Sequence, residues 1–215
     1  MKLKISELRD TLGYQIALLG VVALLASLLL TQASILTRAD IAAAEARDLQ
    51  VSLAQVLPEG SFDNALAEDT LLLDSPQGQV KVFRARLKGK VTAVVMKLSP
   101  IGYAGPIDLV VGMDADGKVL GVRVLKHKET PGLADQIETS KGRWIFSFDG
   151  KSLNDPSPKD WAVKKDGGVF DQFTGATITP RAIVGALKRG LELFTKEHER
   201  LFDSAATQRA EGDTK

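Results

Sequence analysis

The N-terminal part of the chain contains a long stretch without charge. Between Asp10 and Arg38 there is no Asp, Glu, Lys or Arg, and residues 16–30 are apolar apart from one Gly and one Ser. With the milder residues 31–36, the segment reaches the roughly 20 residues that an α-helix needs to cross a bilayer. The sequence therefore predicts a single transmembrane helix over residues 12–37.

A cleaved signal peptide is the alternative explanation for this stretch. Its apolar core is at the upper limit of length for a signal peptide, and residues 31–33 form a poor cleavage site, so a retained anchor is favoured. Three basic residues lie in the first ten positions, against Arg38 and Arg47 after the helix. The positive-inside rule therefore favours a cytoplasmic N-terminus and a C-terminal domain on the periplasmic side of a bacterial inner membrane.

The remaining boundaries follow from turn residues and periodicity. Residues 1–11 are predicted to be a cytoplasmic tail, and residues 38–60 a juxtamembrane helix that ends at a Pro and a Gly. Residues 61–203 are predicted to form one domain, of which residues 61–74 are a connector. Residues 204–215 are polar and are predicted to be a flexible tail.

Alternating apolar residues predict two antiparallel pairs of strands in this domain. One pair covers residues 79–87 and 91–98, and the other covers 107–113 and 118–125, joined by a hairpin loop at 114–117. Two further short strands are predicted from aromatic residues, at Trp144, Phe146 and Phe148 and at Trp161 and Val163. The fold class is therefore α+β: one transmembrane helix, then a single α+β domain with antiparallel strands and flanking helices.

Composition excludes several classes of function. The chain has no cysteine, two histidines and a formal net charge of +1. The absence of cysteine excludes a Cys nucleophile and iron–sulfur ligation by this chain, and two histidines exclude a His-rich metal site. No basic patch suggests nucleic acid as a partner. We therefore predict neither a catalytic side chain nor a metal site.

Residues 171–180 predict a strand that runs into a helix. Gly175 permits a tight turn, Thr179 is a suitable N-cap, and Pro180 suits the first helical position. Thr177 would then lie just before a helix N-terminus, where free N–H groups and the helix dipole favour an anion such as phosphate. The apolar residues behind it recur at helical spacing: Ile183, Val184, Leu187, Leu191 and Phe194.

The segment Thr174-Gly175-Ala176-Thr177 resembles the [Ser/Thr]-Gly-Ala-Thr motif of the FMN-binding domain family. In that family FMN is joined through its phosphate to the last Thr, so the resemblance implies one covalent FMN at Thr177. The family includes the G subunits of Rnf-type electron transport complexes and the C subunits of sodium-pumping NADH:quinone reductases. From the residue types alone, a simple turn before a capped helix remains the alternative.

Two more segments, the loop 102–107 around Tyr103 and residues 129–133, resemble the same family and occur in the family's order. Residues 129–133 read Glu-Thr-Pro-Gly-Leu, a segment that lies beside the flavin in the family. Thr130 can hydrogen-bond the polar edge of an isoalloxazine, Leu133 can cover its apolar face, and Tyr103 can stack on a ring or pack in the core. The predicted cofactor-binding residues are Tyr103, Glu129, Thr130, Leu133, Thr174, Gly175, Ala176 and Thr177.

The resemblance implies a membrane-anchored flavoprotein subunit that relays electrons in a complex coupling ferredoxin/NAD-type electron transfer to ion translocation. The block 102–133 is most similar to the Rnf-type branch, with the sodium-pumping branch second. One span is too few for an ion path, so other subunits are expected as partners, and a flavin transferase for maturation. Such a subunit is not catalytically complete alone. A non-redox assembly module and a redox sensor remain alternatives.

Overall fold

The computed structural model describes residues 12–203. The predicted cytoplasmic tail (1–11) and the predicted flexible tail (204–215) lie outside the described residues. By its internal contacts the chain divides into two units, Met1–Arg47 and Asp48–Lys215.

The first helix, α1, runs from Leu12 to Gln55 without interruption at the predicted boundary between residues 37 and 38. It ends before Pro58 and Gly60, the residues that the sequence predicts as its stop. Its large apolar side chains, such as Leu24 and Leu36, are exposed. Among the described residues, α1 is the helix that is long and apolar enough to cross a membrane.

Five strands form one antiparallel sheet in chain order. They are β1 (Thr70–Ser75), β2 (Gly78–Leu87), β3 (Lys90–Leu98), β4 (Asp108–Asp114) and β5 (Val119–Lys126). Strands β2 to β5 confirm the two predicted pairs and the hairpin loop between β4 and β5.

Strand β1 is an addition to the predicted set, since the sequence predicts a connector over residues 61–74. Leu71 and Leu73 are buried while Leu72 between them is exposed, which is the alternation of an edge strand. Three leucines in a row hide that alternation in the sequence, because all three are apolar whichever way they point.

The sheet has an apolar core on each face. The last helix, α2 (Ile178–Phe202), packs on one face. Residues 53–66 cover the other face. There the paired glycines Gly112 and Gly121 lie under Val56, and a Cβ on Gly121 would be 3.2 Å from the Val56 Cα. These two glycines therefore allow the chain after α1 to approach the sheet closely.

The aromatic strand predicted at residues 144–148 is wrong, because this segment is a 3-10 helix. Ile145 and Phe148 are its fully buried residues, and their spacing of three is helical. The Trp144 and Phe148 rings meet edge to face, with centroids 5.1 Å apart, as one turn of helix allows. The strand predicted at Trp161 and Val163 is also wrong: Val163 instead forms an isolated parallel bridge with Phe170.

Candidate functional site

Residues 173–176 form a turn just before α2. The Ala176 N–H donates to the Phe173 carbonyl at 3.1 Å, and Gly175 has φ of +77°, a conformation that favours glycine. Phe173 is buried and anchors the turn, while Thr174 and Gly175 are exposed. The tight turn at Gly175 is thus confirmed. The regular strand predicted before it is wrong: an isolated bridge pairs Phe173 with Ala176.

The predicted N-cap at Thr179 is also wrong. Helix α2 begins at Ile178, and Thr177 is its N-cap. Thr179 lies inside the first turn, where its hydroxyl donates to the Glu129 carboxylate instead of capping the helix. Pro180 is accordingly the third helical residue rather than the first; since the first-turn N–H groups lack helical acceptors, Pro is tolerated there.

Thr177 therefore lies directly at the helix N-terminus. Its carbonyl accepts the first helical bond, from the Arg181 N–H at 3.2 Å. Within the described residues, its hydroxyl makes no capping hydrogen bond. The N–H groups of Ile178 and Thr179 have no acceptor within the helix, and the helix dipole is positive at this end. A half-buried hydroxyl and these N–H groups together suit a phosphate.

Glu129 is the residue that joins the separate predicted segments. It is 3% exposed. Its Oε1 accepts from the Ala104 N–H at 2.9 Å, and its Oε2 accepts from the Tyr103 N–H at 3.3 Å and from the Thr179 hydroxyl. One carboxylate thus connects the loop 102–105, the segment 129–133 and the first turn of α2.

The backbone of Glu129 is fixed as well. Its N–H donates to His127 Nδ1 at 3.1 Å, so this nitrogen is the acceptor and Nε2 carries the proton of the neutral ring. His127 Nε2 lies 3.1 Å from Glu138 Oε1 and donates to it. His127 therefore orients Glu129 and the turn that follows.

That following turn presents Thr130 and Leu133 at the surface. The Thr130 carbonyl accepts from the Leu133 N–H at 3.2 Å, and the Gly132 N–H donates to Asp135 Oδ1 at 2.9 Å. This N–H, with Lys141 nearby, lowers the pKa of Asp135 below its ordinary value. The turn is thus held by a carboxylate that stays ionised.

Three apolar side chains on the joined segments are left exposed. Tyr103 is 72% exposed, and Leu133 and Ile178 are each 47% exposed. Large apolar groups on three segments that one carboxylate connects offer a surface for a flat aromatic ligand. The residues present therefore fit both parts of FMN: the helix N-terminus suits the phosphate, and these side chains suit the ring.

Ion pairs and the indole of Trp144 hold the segments that flank the turn before α2. Arg181 makes a two-pronged contact with Asp166, Nε to Oδ2 at 2.5 Å and Nη2 to Oδ1 at 2.8 Å, which lowers the pKa of Asp166 and raises that of Arg181. Lys164 Nζ lies 2.6 Å from Asp171 Oδ1. Trp144 Nε1 donates to the Asp171 carbonyl at 2.8 Å. Sequence reasoning missed these contacts, because no motif marks partners so far apart in the chain.

The FMN-binding domain family model matches residues 102–192, which include all eight predicted cofactor-binding residues. The G subunit of the ion-translocating oxidoreductase complex of Cereibacter sphaeroides is 52% identical over 185 residues, covering 86% of this chain and 84% of that protein. The chain belongs to the family of these G subunits.

The same family includes a relative from Stutzerimonas stutzeri, 46% identical over 190 residues, covering 88% of this chain and 83% of that protein. Among solved structures, the crystal structure of NqrC from Shewanella oneidensis is similar at 25% identity and a TM-score of 0.46. The matched region covers 66% of this chain and 72% of the NqrC chain. The α+β fold of this family member follows from its own sheet and helices.

Proposed function

We propose that this chain is a membrane-anchored flavoprotein subunit that carries one FMN, bonded through its phosphate to Thr177. In this role it relays electrons within a complex that couples electron transfer of the ferredoxin/NAD type to ion translocation. The observation that carries the proposal is the Thr177 hydroxyl at the N-terminus of α2, in a chain 52% identical to one component of such a complex.

Thr177 acts in this proposal as an acceptor rather than as a catalyst. No His or Lys lies within three residues of it in the sequence, so no near neighbour along the chain is a base that could activate the hydroxyl. A separate flavin transferase using FAD makes the ester: the Thr177 oxygen bonds to the phosphorus next to the ribityl chain, AMP leaves, and the transferase takes the proton. The N–H groups of Ile178 and Thr179 then hold the phosphate oxygens.

The ring is held by the exposed groups of the joined segments. Tyr103 and Leu133 cover apolar surface and exclude water, while Thr130 and the neighbouring backbone offer hydrogen bonds to the polar edge. FMN supplies reversible transfer of one or two electrons when bound. Because the bond to the protein is through phosphate, the ring stays chemically unaltered, and the ester serves retention of the cofactor.

The topology divides the work among subunits. Residues 12–37 anchor the chain, residues 38–60 leave the membrane as a juxtamembrane helix, and residues 61–203 carry the FMN on the periplasmic side of the inner membrane. A single spanning helix supplies no ion path, so ion translocation belongs to other subunits of the complex.

The direct test uses Thr177→Val, which removes the hydroxyl and keeps the shape. The full chain is produced with a flavin transferase, denatured, and examined for flavin fluorescence that migrates with the polypeptide. We expect fluorescence in the natural chain and in Thr195→Val, a control on the same helix whose hydroxyl donates to the Leu191 carbonyl. A folded Thr177→Val chain that keeps covalent flavin would refute the proposal.

A further inference from the structure

The contacts of Glu129 point to a role different from that of a flavin ligand. We infer that Glu129 and Thr179 form a positioning pair, which fixes the first turn of α2 to the loop 102–105 so that Thr177 is presented for attachment. The inference rests on the proposed function, because it concerns how the acceptor hydroxyl is placed.

The burial of the pair is the first argument. Thr179 is fully buried and Glu129 nearly so. The three groups bonded to the carboxylate are all donors: the Thr179 hydroxyl and the N–H groups of Tyr103 and Ala104. The carboxylate is therefore the acceptor in all three hydrogen bonds. Both of its oxygens are therefore engaged by groups of the protein.

The position of Thr179 in the helix is the second argument. It lies two residues after Thr177, about 3 Å further along the axis at 1.5 Å per residue. Ile178 and Thr179 belong to the first helical turn, so a bond that holds Thr179 also restrains the Ile178 N–H and the backbone of the N-cap Thr177. The Glu129 contact thus reaches the acceptor through the helix.

The surroundings of the carboxylate leave it one place to lie. A Cβ on Gly102 would be 2.6 Å from Glu129 Oε1 and 2.5 Å from Ile107 Cδ1, so only glycine leaves room for it. On the backbone side, the Glu129 N–H is bound by His127. Loop, side chain and backbone are therefore fitted to each other, as a positioning residue requires.

The test compares Thr179→Val, which removes the hydroxyl, with Thr179→Ser, which keeps it. The rate at which the transferase attaches FMN is measured on the full-length chain in detergent, as kcat and KM for the acceptor chain. We expect Thr179→Val to lower kcat about tenfold or more, since misplacing a reacting group is costly, with little change in KM. Thr179→Ser should restore the rate, and Thr195→Val serves as the matched control.

Glu129→Gln extends the test to the other partner. Each carboxylate oxygen accepts from a backbone N–H, so the amide nitrogen of Gln, which cannot accept, meets an N–H group in either orientation. Glu129→Gln should therefore lower kcat like Thr179→Val. The double variant should be hardly slower than either single one, because both remove the same contact. If Thr179→Val does not fold, Glu129→Asp, whose shorter side chain withdraws from Thr179, tests the contact as a single variant and should lower kcat in the same way.

The outcomes separate this inference from the proposed function. If the natural chain acquires no covalent flavin, both fail. If it does, and folded Thr179→Val is modified at the natural rate, the positioning pair alone is refuted. A Thr179→Ser chain as slow as Thr179→Val would also refute it. So would a changed visible spectrum of bound flavin in Glu129→Gln but not in Thr179→Val, which would mark Glu129 as a direct ligand.

Discussion

Among the buried carboxylates of residues 12–203, Asp69 and Glu129 differ in their partners. Asp69 Oδ1 accepts from Arg84 Nε at 2.8 Å and from Arg84 Nη2 at 2.5 Å, and its Oδ2 accepts from Arg86 Nε. Glu129 accepts from one hydroxyl and two backbone N–H groups. Within residues 12–203, no Lys, Arg or His forms an ion pair with it.

From this difference we expect Asp69 to matter for folding and Glu129 for the candidate site. Asp69, Arg84 and Arg86 form one cluster, which we call the Asp69 cluster. Within it, Arg84 Nη1 also donates to the Asp203 carbonyl at the end of α2, at 3.0 Å. The Asp69 cluster joins β2 to the connector and to the last helix, far along α2 from Thr177. Glu129 instead lies beside the helix N-terminus, where the backbone itself offsets a negative charge.

The largest effect should come from Asp69→Ala, which leaves the buried Arg84 guanidinium without its carboxylate. We expect a loss of about 3–5 kcal/mol in the free energy of unfolding, measured by urea denaturation. Flavin content per folded molecule should stay unchanged. The exposed neighbour Glu68 is the control, and Glu68→Ala should cost less than about 0.5 kcal/mol. A flavin loss in folded Asp69→Ala would erase the distinction between the two carboxylates.

Gly102→Ala should have the next largest effect, because its Cβ would overlap Glu129 and Ile107. We expect a loss of about 1–3 kcal/mol from overpacking, together with slower flavin attachment. The control is Gly185→Ala on α2, where the near neighbour is the flexible end of Arg189 at 3.3 Å. Because Ala is the better helix former, that change should be neutral or stabilising. Equal effects of the two variants would argue against a fitted site for Glu129.

A third buried carboxylate, Asp135, should make the stability of the domain depend on pH. Its pKa is lowered from 3.8, chiefly by the Gly132 N–H, so its ionised form stabilises the folded state above that value. The contribution is lost as pH falls through the folded-state pKa. Thermal midpoints should therefore be higher for the natural chain than for Asp135→Asn at neutral pH, with a gap that narrows below pH 3.8. A gap independent of pH would contradict the assignment.

The smallest effect is expected at the surface pair of Lys164 and Asp171. Both side chains are more than half exposed, so water and salt screen the pair. Lys164→Ala should change the free energy of unfolding by less than about 1 kcal/mol. A loss as large as that of Asp69→Ala would show that burial does not control the strength of these pairs.

The elements that the sequence predicts correctly are those whose signals are local. Strands β2 to β5 alternate between turn residues, and the turn at Gly175 needs a residue that tolerates positive φ. The predicted start of α2 is two residues late, because Thr177 and Thr179 are both good N-cap residues and the sequence does not show that the Thr179 hydroxyl bonds Glu129 instead. The sequence pattern of Trp144, Phe146 and Phe148 is compatible with both a strand and a short helix.

The arrangement of the candidate site is less accessible to sequence reasoning. The resemblance names residues on three segments, but the Glu129–Thr179 contact spans 50 positions, and neither residue type indicates the other. The same holds for Arg181 and Asp166, whose ion pair depends on how the turn folds back. Pairings of this kind follow from the sheet and its loops, which bring distant segments together.

Peptide mass spectrometry of the full chain, produced with a flavin transferase, tests the central claim most directly. The account predicts a mass increment of one FMN ester on the peptide that contains Thr177, in natural, Thr179→Ser and Thr195→Val chains, and its absence in Thr177→Val. An unmodified Thr177 peptide, with the transferase active on another acceptor, would contradict the account. The turn before α2 would then be a structural element only.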